Sequence, residues 1–274
     1  GTVALRGISF SKDGLLAAYM ITEGGSDWRK IIVIDSEKKS IIEDTLIDVK
    51  FSSVSWRGNQ GFYYSSYSNP KNTSELSAKT QLHKLYYHKL GTPQTSDKLI
   101  YGGEKQPNRY ISGYVTEDQN YLVISASKTT SGNQLHILDL KKERLITIHK
   151  EYMNRLSVVH NEGNQFFIYS NIESPNGRVF SVNLNNPKKW NDIVPEKENV
   201  LSASFGGGYL FASYLVDAKT EVEQLDLNGK LIRNIKLPGI GTASGFSAKK
   251  EDKDLYYSFR SFTFPSTIYN YKLT

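Results

Sequence analysis

Five histidines, His83, His88, His136, His149 and His160, are the only side chains here whose ordinary pKa would let them act as a base near neutral pH. A serine hydrolase would have to set one of them beside a hydroxyl raised on a strained turn of the type Gly-x-Ser-x-Gly, and no such pentapeptide occurs. A metal centre needs several ligands converging on one point. His83 and His88 are five residues apart, and His136 and Asp139 three; along a strand an odd separation sends two side chains to opposite faces. Each histidine therefore reads as a polar strand residue, with no metal and no cofactor expected. The stretch Gly239-Ile240-Gly241-Thr242-Ala243-Ser244-Gly245 has the wrong spacing for a phosphate loop and runs into strand-like sequence, so no helix N-terminus awaits a phosphate. Gly206-Gly207-Gly208 reads as a hairpin turn. Asn72-Thr73-Ser74 matches a glycosylation acceptor but is discounted without a secretory leader. Paired carboxylates could cleave a glycosidic bond. Asp27, next to Trp28, is the one acid in a conspicuous aromatic setting, and no second acid pairs with it. The same dipeptide suits a packed indole beside a turn-capping carboxylate equally well.

The elements that carry these residues repeat. Short apolar runs ending in a small or polar residue recur at Leu15-Leu16-Ala17-Ala18-Tyr19, Gly61-Phe62-Tyr63-Tyr64-Ser65, Tyr121-Leu122-Val123-Ile124-Ser125, Phe166-Phe167-Ile168-Tyr169-Ser170, Tyr209-Leu210-Phe211-Ala212-Ser213 and Leu255-Tyr256-Tyr257-Ser258. A further strand follows each, ending at Asp35, Leu90, Leu140, Leu184, Leu227 and Leu273, and from Leu90 onward the ends are 50, 44, 43 and 46 residues apart. That period, with several strands per unit and no helix between them, predicts an all-β fold: a β-propeller of four-stranded antiparallel blades with six repeats visible. The repeats run at about 1–44, 45–104, 105–150, 151–196, 197–237 and 238–274 in a single domain, 1–274. In the first, strands are expected at 4–11, 15–22, 30–35 and 40–44. Polar turns such as Lys12-Asp13-Gly14 and Asn161-Glu162-Gly163-Asn164 join first to second strands, because Asn, Asp and Gly tolerate positive φ or bond their own backbone. The sixth repeat lacks a fourth strand.

Composition agrees with this class and narrows the partners. Tyr and Phe, 18 and 12 copies, suit half-buried pleated surfaces. No stretch approaches the roughly 20 apolar residues that span a bilayer, and Gly1 to Arg6 is not a signal peptide; the chain reads as a piece excised from something longer. With no cysteine it fits a reducing compartment, so cytoplasmic placement is expected, with the periplasm the alternative for a bacterial chain whose signal has been removed. The net charge of +6 is scattered among acids rather than gathered into a stripe, which argues against nucleic acid as a partner; no membrane partner is expected either.

Strands alternate in direction, so the connections from second to third strand, and from one blade to the next, leave from the same face. That face carries Gly24-Gly25-Ser26-Asp27-Trp28, Lys50-Phe51, Asn108-Arg109-Tyr110, Ser127-Lys128-Thr129-Thr130 and the polar insertion at about 67–81. Binding residues concentrate on such connections.

Several of these motifs resemble the propeller domain of the prolyl oligopeptidase family: Gly25-Ser26-Asp27-Trp28, Val49-Lys50-Phe51-Ser52 with Trp56, Lys84-Leu85-Tyr86-Tyr87-His88 with Leu90-Gly91-Thr92, and Ser258-Phe259-Arg260-Ser261-Phe262 with Pro265 and Thr267-Ile268-Tyr269. The opening Gly1-Thr2-Val3-Ala4-Leu5-Arg6-Gly7 is similar too, so the resemblance covers essentially the whole chain. It implies a cytosolic-type serine peptidase that cleaves short peptides after proline, whose triad lies on a separate α/β-hydrolase domain following the propeller. This chain then has no catalytic residues of its own. The family's ring has seven blades, one of them ahead of the segment matched by Gly1. Its propeller covers the active site, keeps out large folded proteins and lends a few residues to the substrate cavity. Phe51 falls on a family aromatic lining that cavity and Asp27 on an acid near it. Tyr110, Ser127 and Thr130 occupy further cavity-facing positions where some relatives carry Met, Arg and Cys.

The leading expectation is thus the gating, substrate-size-filter portion of a prolyl oligopeptidase-type endopeptidase, partnered by an α/β-hydrolase domain and short proline-containing peptides. A stand-alone propeller that binds proteins or peptides is the alternative. A propeller enzyme with its own carboxylate site comes third, for want of a second acid.

Overall fold

The structure, a computed structural model, describes residues 2–42, 45–67 and 81–273. Outside them lie the interior of the 67–81 insertion, with its Asn72-Thr73-Ser74 tripeptide, and Asp44, the expected end of the first repeat's fourth strand. The described residues form six antiparallel sheets whose strands pair in chain order save for one extra strand in the first, and the one helical element among them is a single 3-10 turn, Gln94–Ser96. No helix among them is long and apolar enough to cross a membrane.

The chain divides into two compact units, Gly1–Met153 and Asn154–Thr274. In the first unit, the first sheet holds Val3–Phe10, Leu16–Glu23, Arg29–Asp35 and Ser40–Ile41; the second Ser55–Arg57, Gly61–Ser66, Lys84–Lys89 and Lys98–Gly102; the third Tyr110–Val115, Tyr121–Ser127, Gln134–Asp139 and Arg144–His149. In the second unit the fourth sheet holds Leu156–Glu162, Gln165–Ser170, Arg178–Asn183 and Trp190–Val194; the fifth Leu201–Gly206, Tyr209–Val216, Lys219–Leu225 and Leu231–Asn234; the sixth has three described strands, Thr242–Ser247, Asp254–Arg260 and Thr267–Lys272.

The second strand of each sheet is flanked on both sides, and in the second to fifth sheets it is largely covered on both faces, which is why these segments read as continuous apolar runs rather than alternations; in the sixth sheet burial alternates and Tyr256 is exposed. Gly61–Ser66 is buried at every position. Phe62, Phe166 and Phe211, one from each of three second strands, are fully buried. In the first sheet the pairing reaches past 44: Leu46–Val49 lies antiparallel to Arg29–Asp35, with Leu46 opposite Ile31 and Val49 opposite Arg29. Its cause is apolar, since Leu46 and Val49 bury against Ile31 and Val33 in one core with Trp56 and Phe62.

The turns follow from side chains that bond locally. Asp35, Asp139, Asn183 and Asp226 close third strands, and the Oδ1 of each accepts an amide two residues on at 2.9–3.0 Å. The repeating leucines have a backbone role. The amides of Leu90, Leu140, Leu184 and Leu273 donate to Gln60, Asn120, Asn164 and Lys253 at 2.9–3.0 Å, tying the end of each third strand to the start of its second. Neighbouring sheets of the first unit are joined by specific bonds: Trp56 Nε1 donates to Ser9 O at 2.9 Å, and the Val115 amide to Ser55 Oγ at 2.8 Å.

Gly61 opens a fully buried strand opposite Lys89, and a Cβ there would lie 2.1 Å from the carbonyl oxygen of His88. Backbone cannot swing aside as a side chain does, so Gly61→Ala should lower the urea unfolding midpoint by the equivalent of about 1–3 kcal/mol, the usual cost of overpacking. An unchanged midpoint would show that the strands separate freely at that point.

Candidate functional site

Within the first unit, the hairpins between second and third strands and the links between sheets come off one end. Phe51 sits on the link between the first and second sheets, in the left-handed region at φ 51°, where a bulky residue is held only by its surroundings. Those surroundings are specific. Arg29 Nη1 donates to Ser52 O at 2.8 Å, and Ser52 Oγ accepts the Ser65 amide at 2.7 Å. On the other side of Phe51, His83 Nε2 donates to Lys50 O at 3.0 Å, and Ser66 Oγ bonds the Asp48 carbonyl. With the link pinned at both ends, the Phe51 side chain stays 42% exposed while Val49 and Lys50 are buried.

His83 is the centre of this arrangement. It precedes the strand Lys84–Lys89 and is wholly buried. Its Nδ1 accepts the Ile111 amide at 2.8 Å, so the proton sits on Nε2, which points at the Lys50 carbonyl. Burial pushes its pKa down to about 4, against a smaller opposing effect from that carbonyl. Tyr67 stacks on the imidazole, centroids 4.3 Å apart, and its hydroxyl bonds the Arg109 carbonyl; burial raises its pKa to about 12. Phe51 meets Tyr67 edge-on at 6.2 Å and Tyr110 edge-on at 5.7 Å. Lys50 Nζ lies 5.1 Å from the Trp28 ring centre and 5.5 Å from that of Phe51, and Arg109 lies 5.4 Å from that of Tyr110.

Of the five positions expected to line a cavity, the structure gathers Phe51 and Tyr110 into one aromatic cluster with Tyr67, and Lys50 Nζ links Phe51 to the Trp28 ring. Asp27 is exposed and makes no hydrogen bond or ion pair among the described residues. Ser127 lies directly across the strand pair from Tyr110, and its hydroxyl is turned into its own hairpin, donating to Gly132 O at 3.0 Å. Thr130 is exposed on that hairpin without a ring contact. Of the two residues that hold Phe51, the sequence marks His83 only as a polar strand residue and does not single out Tyr67. Their bonded partners are tens of residues away, so no local spacing announces them.

The remaining histidines fall in separate local settings. His88 and Tyr64 both bond Asp97, at 2.7 Å each. His136 is bonded by Tyr101 and Thr147, both at 3.0 Å. His160, in the second unit, bonds Glu162 at 2.8 Å and stacks on Phe205. Among the described residues the cluster around Phe51 thus offers no nucleophile beside a base. It offers ring faces and edges rimmed by cations, a surface suited to an apolar ring or a peptide chain passing over it.

The comparisons agree with one another. The family model described as the prolyl oligopeptidase N-terminal beta-propeller domain matches residues 1–274. A prolyl endopeptidase of Elizabethkingia meningoseptica is 50% identical over 277 residues, covering 100% of this chain and 39% of the relative. Prolyl oligopeptidase A of Galerina marginata is 29% identical over 100% of the chain and 40% of its own length. Among solved structures, one from a structural and mechanistic analysis of two prolyl endopeptidases superposes with a TM-score of 0.89 at 32% identity, over 98% of this chain and 39% of the other. The chain therefore spans about two fifths of the length of these relatives, and the propeller fold read from its repeats is the fold it shares with them.

Two of the buried histidines, His83 at the site and His136 in the third sheet, have depressed pKa values that acid stability can test. His83 and His136 both have pKa values pushed down to about 4 by burial, against about 6.5 in an unfolded chain. As pH falls below about 6.5 the unfolded state takes up these protons first, so their contribution is complete above that value, is lost between pH 6.5 and 4, and changes no further below. The urea midpoint should fall between pH 7 and 5, and fall less in His136→Gln, whose amide can still reach Tyr101 and Thr147. An equal fall in both proteins would mean that this histidine titrates normally.

Proposed function

We propose that this chain, which belongs to the prolyl oligopeptidase N-terminal β-propeller family, is the gating and substrate-size-filter portion of a serine endopeptidase that cleaves short peptides after proline. The observation that carries the reading is Phe51: a bulky aromatic fixed in a left-handed conformation by bonds on both sides, yet presented rather than buried. A fold gains no core packing from such a residue, and backbone strain persists where its surroundings over-determine it, as at binding sites.

In this reading 1–274 is one propeller domain without a triad, and the reaction belongs to an α/β-hydrolase domain in the part of the parent protein beyond the matched two fifths. Phe51 and Tyr110 meet the peptide. Asp27, exposed and unpaired among the described residues, meets a cation of the substrate or of the hydrolase domain. Ser127 and Thr130 sit farther out on the same end and, where larger or charged side chains stand in some relatives, would leave more room and less charge. Cytoplasmic placement goes with the parent activity and with the lack of cysteine.

Two measurements test this together. A proline-containing chromogenic peptide should be untouched by the chain alone and turned over when a hydrolase domain of the family is added; turnover by the chain alone would overturn the reading, and silence in both would favour a stand-alone binding module. In the mixture Phe51→Ala should change kcat/KM by about 3- to 10-fold, the size of one aromatic contact, while stability moves by less than about 1 kcal/mol because the ring is half exposed. A loss near the 3–5 kcal/mol of a buried Phe truncation with normal kinetics would make Phe51 a core residue.

A further inference from the structure

Lys50 is buried, 8% exposed, and forms no ion pair with any described residue. Other lysines of the chain stand in contrast: Lys30, Lys197, Lys250 and Lys272, all far more exposed, each hold a carboxylate at 2.7–2.8 Å. Among the described residues the most deeply buried lysine is thus one without a counter-charge. Burying an ammonium forfeits hydration that ring faces alone restore only in part, and Lys50 has just the faces of Trp28 and Phe51. The Trp28 indole repeats the pattern, since its Nε1–H is buried and has no acceptor among the described residues. Two donors on touching side chains, one of them charged, lack an acceptor among the described residues at the end of the unit where Phe51 is presented. Arg109, over the neighbouring Tyr110, adds positive charge, and Asp27 does not neutralise it.

We infer that Lys50, with Trp28 Nε1, is a carboxylate-recognition site, and that its ligand is the carboxylate of a short peptide lying against Phe51. The inference rests on the peptide-handling reading above and adds to it a preference for acidic or free-C-terminal peptides. Lys50 is poised for that role because its carbonyl is fixed by His83, so the side chain leaves from a backbone position that does not drift. An ammonium between two rings is also a compact point charge, able to meet either oxygen of a carboxylate without the fork geometry that arginine requires.

The chain contains three tryptophans, so binding can be followed by fluorescence, with Trp28→Phe assigning the signal. Three N-acetylated proline-containing tetrapeptides serve as probes: one with a free C-terminal carboxylate, its amide, and an amide carrying one glutamate. Either carboxylate form should bind at least about fivefold tighter than the neutral amide, and which of the two gains more identifies the source of the carboxylate. Lys50→Met, which keeps the apolar stem, should abolish the preference, and Lys50→Arg should keep part of it. A merely structural Lys50 would leave the ratio of affinities untouched even where both weaken. Equal affinities in the wild type, a preference that survives in a folded Lys50→Met, or no saturable binding by any probe would overturn the inference. So would a Lys50→Met effect confined to association with an added hydrolase domain, which would assign the anion to a protein partner. Charge-blind binding that is lost in Phe51→Ala would remove the Lys50 assignment alone and leave the filter reading standing.

Discussion

The connecting end of the first unit depends on one buried neutral imidazole. His83 receives the Ile111 amide on Nδ1 and gives its Nε2 proton to the Lys50 carbonyl, while its own amide donates to Asn108 O and its carbonyl accepts the Gly103 amide. The link between the first two sheets, the entry to the third sheet and the Tyr67 ring are all fixed against this single residue. Only the neutral Nε2–H tautomer satisfies both ring bonds. A second proton would set Nδ1–H against the Ile111 amide inside the protein, where two opposed donors are costly. The left-handed backbone of Phe51 and the burial of Lys50 follow from where His83 holds the chain.

The regular parts of the fold make this exception affordable in the sense that they leave the links free to vary. Strand ends are tied by the leucine amides, and third strands are closed by Asp or Asn side chains, in the same way from sheet to sheet. Each sheet is thereby specified by its own local bonds and its own buried second strand. The links carry no such duty, and it is on a link that Phe51 takes an unfavourable φ. Repeated local closure and one long-range clamp are thus complementary: the first builds the sheets, the second shapes the surface between them.

Legibility in the sequence follows the same division. The second strands were legible because burial on both faces forces a continuous apolar run, and the turns because Asp, Asn and Gly act on neighbouring backbone. The segment Leu46–Val49 was not assigned to the first sheet, since its partner Ile31 lies across two turns and only tertiary packing pairs them. At the site, alternating strand direction puts Phe51 and Tyr110 on one end, and their rings meet edge-on at 5.7 Å. His83 read as a polar strand residue, because the partners that make it a clamp are 33 and 28 residues away. The burial of Lys50, without an ion pair among the described residues, is equally invisible, since exposure is a property of what packs around a residue.

The central claim, that a neutral His83 sets the geometry around Phe51, is tested most directly by following the ring nitrogens of a nitrogen-15-labelled histidine chain through an NMR titration. The account predicts that the signals of His83 report the Nε2–H tautomer from pH 8 down to about 5, with a midpoint at about 4. A midpoint near the ordinary value of about 6.5, or a proton on Nδ1 at neutral pH, would contradict it and leave the Phe51 backbone without its clamp.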